Sequence, residues 1–364
     1  MKFTIKNKDL KAVLPTLRVA AREQLDMWNT DTVRIVAQNG LRLCAGTPDL
    51  IILADIPADV ATPGQALIEY DMLRIGVPGE TLTVESNGRL LCITGQTKLA
   101  VPLCNDNSVS PRNLDVPYSP KMRVSMPSLT HVVNAVSKDD SKTLYKTLRN
   151  VLADGHDVVG ADNHILGLAK TQGDALPRTL WPAIFAKALN TLLPAQVGFD
   201  IDHATRAFVQ KNDIRYTFIT TNVDGNYPNY AVLLPRASAY SIENLDLKQL
   251  YDIAKKTDDG IVVTPGENEL SLSSEETGVE FCTMPATISG DLRFAFGLSL
   301  AVLRKTIHCA PRYVNVALLA QDCPLVLSWA DDAKMLVMPR LPPKLEVARA
   351  KEEAAYRAKA LAAS

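Results

Sequence analysis

Apolar residues recur along the chain with a period that keeps changing from helical to extended. Residues 7–22, NKDLKAVLPTLRVAAR, place Leu10, Val13, Leu14 and Leu17 on one face of a helix. Residues 32–46 then alternate as a strand pair turned at Asn39-Gly40, a strong short hairpin signal. A short helix over EYDMLRIG stops at Gly76. A second hairpin turns at Asn87-Gly88, and the strand TKLAVPL closes this first passage.

The order then repeats. The second passage runs through a helix at SLTHVVNAVS and a hairpin at RNVLADGHDVVGA turned at Asp154-Gly155. A helix at WPAIFAKALNTLL follows, with Pro182 near its first turn, where proline is tolerated. Three strands, VGFDIDH, RAFVQ and IRYTFITT, lead to YAVLLPR. The third passage opens with a predicted helix over ENLDLKQLYDIAKK. The strands GIVVTP and ELSLSS precede the helix SLAVLRKTIHCA, and VNVALLA, PLVLSW and KMLVMPRL end the passage. Three passages of helix, strands, helix, strands predict an α+β chain built on one repeated unit, within the size range of ordinary domains. The Pro/Ser-rich stretches at residues 107–121 and 235–241 read as linkers.

Composition narrows the class. The 364 residues are 47% hydrophobic and 22% charged, as in a globular protein too long for one ordinary core. No apolar run is long enough to span a bilayer and the N-terminus lacks a signal-peptide pattern, so the expected compartment is the cytoplasm. Six cysteines, with no CxxC pair and no histidine at ligand spacing, read as scattered thiols rather than disulfides or a zinc site. No metal or cofactor is expected.

The formal net charge is -1, which excludes a strongly basic DNA-binding domain but not a basic stripe on one surface. Lys11, Arg18 and Arg22 recur at i, i+7 and i+11, opposite the leucine face of the first helix. Arg74, Lys187, Lys248, Lys255, Arg304 and Lys305 lie on the other predicted helices. One such stripe is an ordinary solvated face. The same arrangement on five helices points to a surface for a phosphate backbone. The acidic stretches DDGIVV, SSEETGVE and WADDAK fall in predicted turns and read as solvated loops.

Four segments resemble one family. MKFTIKNKDLKAVL, GADNHILGLAK, GNYPNYAVLLP and LVMPRL keep the order and spacing of motifs in the bacterial sliding clamp, the beta subunit of DNA polymerase III. The resemblance implies a DNA-clamp fold, with three similar domains at residues 1–118, 122–236 and 238–341, each with two helices packed on antiparallel sheets. It implies a head-to-tail homodimeric ring around duplex DNA, non-catalytic, acting as a processivity factor. Implied partners are the replicative polymerase, the clamp loader and other proteins carrying a clamp-binding peptide.

Carried over by position, the peptide cleft between the second and third domains comprises Leu148, Ala161, His164, Ile165, Leu166, Pro228, Val232, Leu233, Leu336, Val337, Met338, Pro339, Arg340 and Leu341. The Met338-Pro339 step is then an exposed groove wall. Lys142, Tyr145 and Lys146 join Arg22 as positions that approach DNA. Leu99 and Val101 mark the strand that joins the two subunits. Ile165 and Val232 stand where the family carries arginines, and the closing motif is one residue short, so the groove should be more apolar than usual.

The tail at 342–364 has high helix propensity after Pro342-Pro343. It is expected to be a fraying helix or solvated appendage, or a segment that folds over the groove. A clamp paralogue serving repair or a mobile element is an alternative. So is a small-molecule enzyme using His164 as base and Asp162 as its orienter; Ser141 and Cys309 lack any supporting motif.

Overall fold

The computed structural model describes residues 1–21, 31–104, 116–138, 145–235, 238–257, 260–274, 278–290, 294–320, 323–329 and 333–340. Arg22, Ser141, Lys142, Leu341 and the tail lie outside the described residues. The chain divides into two compact units, and the middle passage contributes to both.

The first unit takes Met1–Leu129, Asn150–Val158 and Lys170–Gly225. One antiparallel sheet has the strand order Asp59–Thr62, Lys2–Lys6, Thr81–Ser86, Leu90–Thr94, Lys98–Pro102. A nine-stranded sheet carries the first hairpin at one end and Ala195–Ile201, Ala204–Lys211 and Ile214–Thr221 towards the other. Its two halves join where Ile214–Thr221 pairs with Leu50–Ile56, with Phe218 opposite Ile52. Helices α1 (Asn7–Ala21), α2 (Tyr70–Ile75) and α4 (Ala183–Asn190) belong to this unit, whereas α3 (Thr130–Ala135) belongs to the other. The α1 face predicted from the sequence is buried, and Tyr70 Oη ties α2 to α1 by donating to the Leu14 carbonyl at 2.9 Å. Pro182 sits one residue earlier than a first-turn proline, at the N-cap of α4. Trp181 stacks on Phe199 and meets Phe185 edge-on, anchoring the core beneath that helix.

The second unit takes Thr130–Arg149, Val159–Ala169 and the chain from Asn226 onward. It holds six neighbouring strands of a nine-stranded sheet, in the order Ile165–Lys170, Lys334–Val337, Leu325–Ser328, Tyr313–Leu318, Tyr240–Asp246, Thr287–Ser289. A four-stranded sheet has the order Glu280–Pro285, Glu269–Ser274, Gly260–Pro265, Phe296–Ser299. Helix α5 (Leu247–Ala254) starts later than the predicted ENLDLKQLYDIAKK. Residues 243–246 instead finish strand Tyr240–Asp246, which is irregular between Ile242 and Leu245. Asn244 takes a positive φ of 52° there, and Asp246 caps α5 by accepting from the Gln249 N–H at 3.0 Å. Helix α6 (Leu300–Cys309) is capped by Ser299 and buries Val302, Leu303, Thr306 and Cys309.

Among the described residues each passage thus supplies two α-helices, as the sequence pattern predicts. Two glycines explain how α3 fits. A Cβ on Gly160 would lie 2.2 Å from the Val132 carbonyl oxygen, and one on Gly167 would lie 2.5 Å from that of His131. Strand backbone therefore touches helix backbone, which only glycine permits.

His131 is buried on this face, its Nε2 2.9 Å from the Leu168 carbonyl oxygen. The neutral Nε2–H tautomer donates there. Burial pulls the imidazole below its ordinary value, against a smaller opposing effect of that hydrogen bond. The unfolded state then binds a proton that the folded state refuses. Stability should fall as pH drops below about 6.5 and level off below the depressed folded value. His131→Leu should flatten this part of a urea-midpoint profile against pH. An unchanged profile would mean the ring does not report folding.

Candidate functional site

Every described residue of the implied peptide cleft belongs to the second unit. Strand Lys334–Val337 lies between two partners, with Ile165 opposite Val337 and Leu166 opposite Leu336 on one side. Those four side chains are therefore core, as are Leu148 and Ala161. Beyond Val337 the chain leaves the sheet. The Met338 N–H donates to the His164 carbonyl at 2.8 Å, and Arg340 exchanges two backbone hydrogen bonds with Gly297, at 2.8 and 2.9 Å. The Met338-Pro339 step is held at both ends, with Met338 39% exposed and Pro339 half-buried.

The expectation of an apolar wall thus narrows to a few side chains. Val232 is 74% exposed and Leu233 44%, both on a short 3-10 turn, Tyr230–Leu233. His164 and Arg340 are exposed and Pro228 is half-buried. Tyr227, just before Pro228, is buried beside the Ala161 backbone, and burial pushes its phenol far above the usual tyrosine range. The Ser137 N–H lies 3.1 Å from the Leu148 carbonyl oxygen and 3.2 Å from that of Ala161, which holds those two segments together.

Asp162 organises the turn before Ile165–Lys170. Its Oδ1 accepts from the backbone N–H of His164 at 2.7 Å and of Ile165 at 2.8 Å. Its Oδ2 accepts from Lys305 Nζ, which also donates to the Ala135 carbonyl at 2.9 Å. Instead of orienting the His164 ring, as the acid–base pairing considered from sequence would need, Asp162 accepts from the backbone N–H groups of His164 and Ile165 and from Lys305. Cys309 offers no activated nucleophile, since burial raises its thiol to about 11. Among the described residues no group of three or more His, Cys, Asp or Glu is placed to hold a metal ion.

The helix cations divide into two kinds. Lys11, Arg18, Lys187 and Arg304 are exposed, as are Tyr145 and Lys146. Others are shared with carboxylates: Arg74 lies 3.6 Å from Asp71, while Lys248 and Lys255 flank Asp252 at 3.6 and 3.0 Å. The hydrogen bond from Lys255 is the largest influence holding the Asp252 carboxyl below its ordinary value. Lys305 departs from its expected place on an open cationic face, because it is largely buried and paired with Asp162.

Among the described strands Lys98–Pro102 lies at the edge of its sheet. Leu99 and Val101 do share a face, opposite Ile93 and Leu91. That face is the unit's own core: Val101 is 0% exposed and Leu99 is half-buried. What the strand leaves open is its backbone. The sequence reading missed a second edge, strand Glu280–Pro285, where Phe281 is 41% exposed beside Val279 at 62%. The alternation in GVEFCTM was a usable signal there, masked by the acidic run before it.

No protein-family model matches the sequence, and no curated protein matches it. Solved structures do. The DNA polymerase III beta subunit of Thermotoga maritima aligns with a TM-score of 0.73 at 16% identity, over 93% of this chain and 99% of that one. The Helicobacter pylori beta clamp, bound to a DNA ligase peptide, gives 0.70 at 16% identity, over 94% and 100%. The DNA polymerase III subunit beta of Pseudomonas aeruginosa gives 0.68 at 18% identity, over 93% and 100%. At such identities the likeness is one of fold.

Proposed function

We propose that this chain, which has the fold of the bacterial DNA polymerase III beta subunits, is a sliding clamp. Two copies close head to tail around duplex DNA and tether a polymerase and other DNA-processing proteins through a short peptide. In this reading residues 1–118, 122–236 and 238–341 are three clamp domains. The clamp fold over nearly the whole chain is the observation that carries the reading.

The chemistry of the surfaces supports it. Exposed Lys11, Arg18, Lys187, Arg304 and Lys146 offer point charges to phosphates without a base-reading element. The joint is strand Lys98–Pro102 of one copy against Glu280–Pro285 of the other, two open edges that complete each other's hydrogen bonding. The partner peptide lies on Met338, Val232 and Leu233, with His164 and Arg340 at the rim. With Val232 where the resemblance implies an arginine, this surface suits an apolar peptide.

The test is topological. The protein should have twice the chain mass by light scattering. After loading, it should stay on nicked circular DNA, slide off once that DNA is linearised, and lengthen primer-extension products. Monomeric protein that leaves circles and linear duplex equally fast would sink the reading. Val232→Glu should weaken a hydrophobic clamp-binding peptide about tenfold by fluorescence anisotropy, as expected for a charge placed in an apolar contact. Unchanged affinity would move the peptide site elsewhere.

A further inference from the structure

A cavity of about 710 Å³ opens within the second unit, walled by α6, the end of α3 and the Asp162–His164 turn. Helix α6 turns Arg304, Lys305 and His308 into it, and the positions just after α3 add Lys138. Their placement is not loose. Asn134 Nδ2 donates to the His308 carbonyl at 2.8 Å, joining the two helices, and Lys305 holds both the Ala135 carbonyl and Asp162.

Among the described lining residues Asp162 is the carboxylate, and Lys305 is paired with it. Lys138 and Arg304 are exposed and form no ion pair with any described residue. The cavity therefore presents a guanidinium fork, an ammonium and the two imidazoles of His164 and His308 to one space. Arginine matches the paired oxygens of a phosphate, and lysine adds a point charge. The volume falls in the range of pockets that hold an extended ligand and exceeds what a single small anion fills.

We propose that this cavity binds a phosphate ester, with Arg304 and Lys138 as its charged contacts and His164 and His308 as further donors. Two sources share that chemistry: the backbone of duplex DNA, and the phosphate chain of a free nucleotide. In the first case the proposal deepens the clamp reading and rests on it; in the second it stands apart from it.

The experiment uses the full chain, wild type and Lys138→Gln/Arg304→Gln, with Lys11→Gln/Arg18→Gln as a control on the other unit. Both substituted cavity residues are exposed, so the variants should fold, and circular dichroism checks this. Probes are a labelled short duplex by anisotropy at low salt, and ADP and inorganic pyrophosphate by calorimetry. The cavity variant should lose at least about tenfold in affinity for one class of probe. Loss confined to duplex, with the salt slope reduced by about two, assigns the site to the DNA backbone. Loss confined to ADP and pyrophosphate assigns it to a nucleotide, and loss of both leaves the shared phosphate chemistry as the ligand. If all affinities are unchanged, or wild type binds no probe, the proposal is overturned. Duplex binding that falls in the control variant and not in the cavity variant would overturn the cavity and leave the clamp reading intact.

Discussion

Asp162→Ala should destabilise the second unit by about 3 kcal/mol, since it strips the acceptor from two backbone N–H groups and from one largely buried ammonium. The turn it holds also presents the His164 carbonyl to the Met338 N–H, so the variant should weaken partner-peptide binding as well. Lys305→Ala removes one of those three contacts together with the hydrogen bond to the Ala135 carbonyl, but leaves both backbone N–H groups capped, and should cost less. The double variant should fall short of the sum of the two, because both share one ion pair. Urea unfolding of the four proteins measures this cycle. A loss below about 1 kcal/mol for Asp162→Ala would mean that water replaces the carboxylate freely.

The second large effect belongs to the proposed ring joint. Val279→Asp with Phe281→Asp puts two carboxylates on the open edge of strand Glu280–Pro285, where both native side chains are exposed in the single chain. Removing two side chains worth about 1.5–3 kcal/mol each when covered should raise the dimer dissociation constant by at least about 100-fold. Sedimentation across a concentration series reads the shift, with the circular dichroism spectrum unchanged because neither residue is core. A variant that remains dimeric at the lowest concentration would place the joint on another edge. Leu99→Ala with Val101→Ala is the poorer probe, because emptying the fully buried Val101 site damages the first unit itself.

The elements that could be read from the chain were those whose signals are local. Asn39-Gly40 and Asn87-Gly88 mark their hairpins because turn geometry selects those residues. The α1 stripe shows because 3.6-residue spacing is visible in any window. What stayed hidden depends on distant partners. Alternation at Leu99 and Val101 revealed a shared face, yet nothing nearby tells a strand's own core from a partner's surface. Lys305 looked like one more solvent cation because its carboxylate lies in the middle passage. The late start of α5 was missed for a different reason. The strand irregularity at Asn244 lets a helix-like run, ENLD, complete an extended segment, and pairing overrides local propensity there. At the candidate site, four motifs gave the address of the closing segment. They did not show that Leu336 and Val337 are both buried while Met338 is exposed.

Thiol chemistry offers a use for one of these edges. Cys44 is buried, with its thiol raised to about 12 by burial, and Cys309 is raised to about 11, so neither forms the reactive thiolate near neutral pH. Cys282 is part-accessible and sits between Phe281 and Thr283 on strand Glu280–Pro285. Its alkylation rate, read peptide by peptide, therefore reports whether that edge is covered in the wild-type protein, with no substitution introduced. In a covered edge the Cys282 signal slows as protein concentration rises, while Cys92, on the inner strand Leu90–Thr94, keeps its rate and serves as the internal clock.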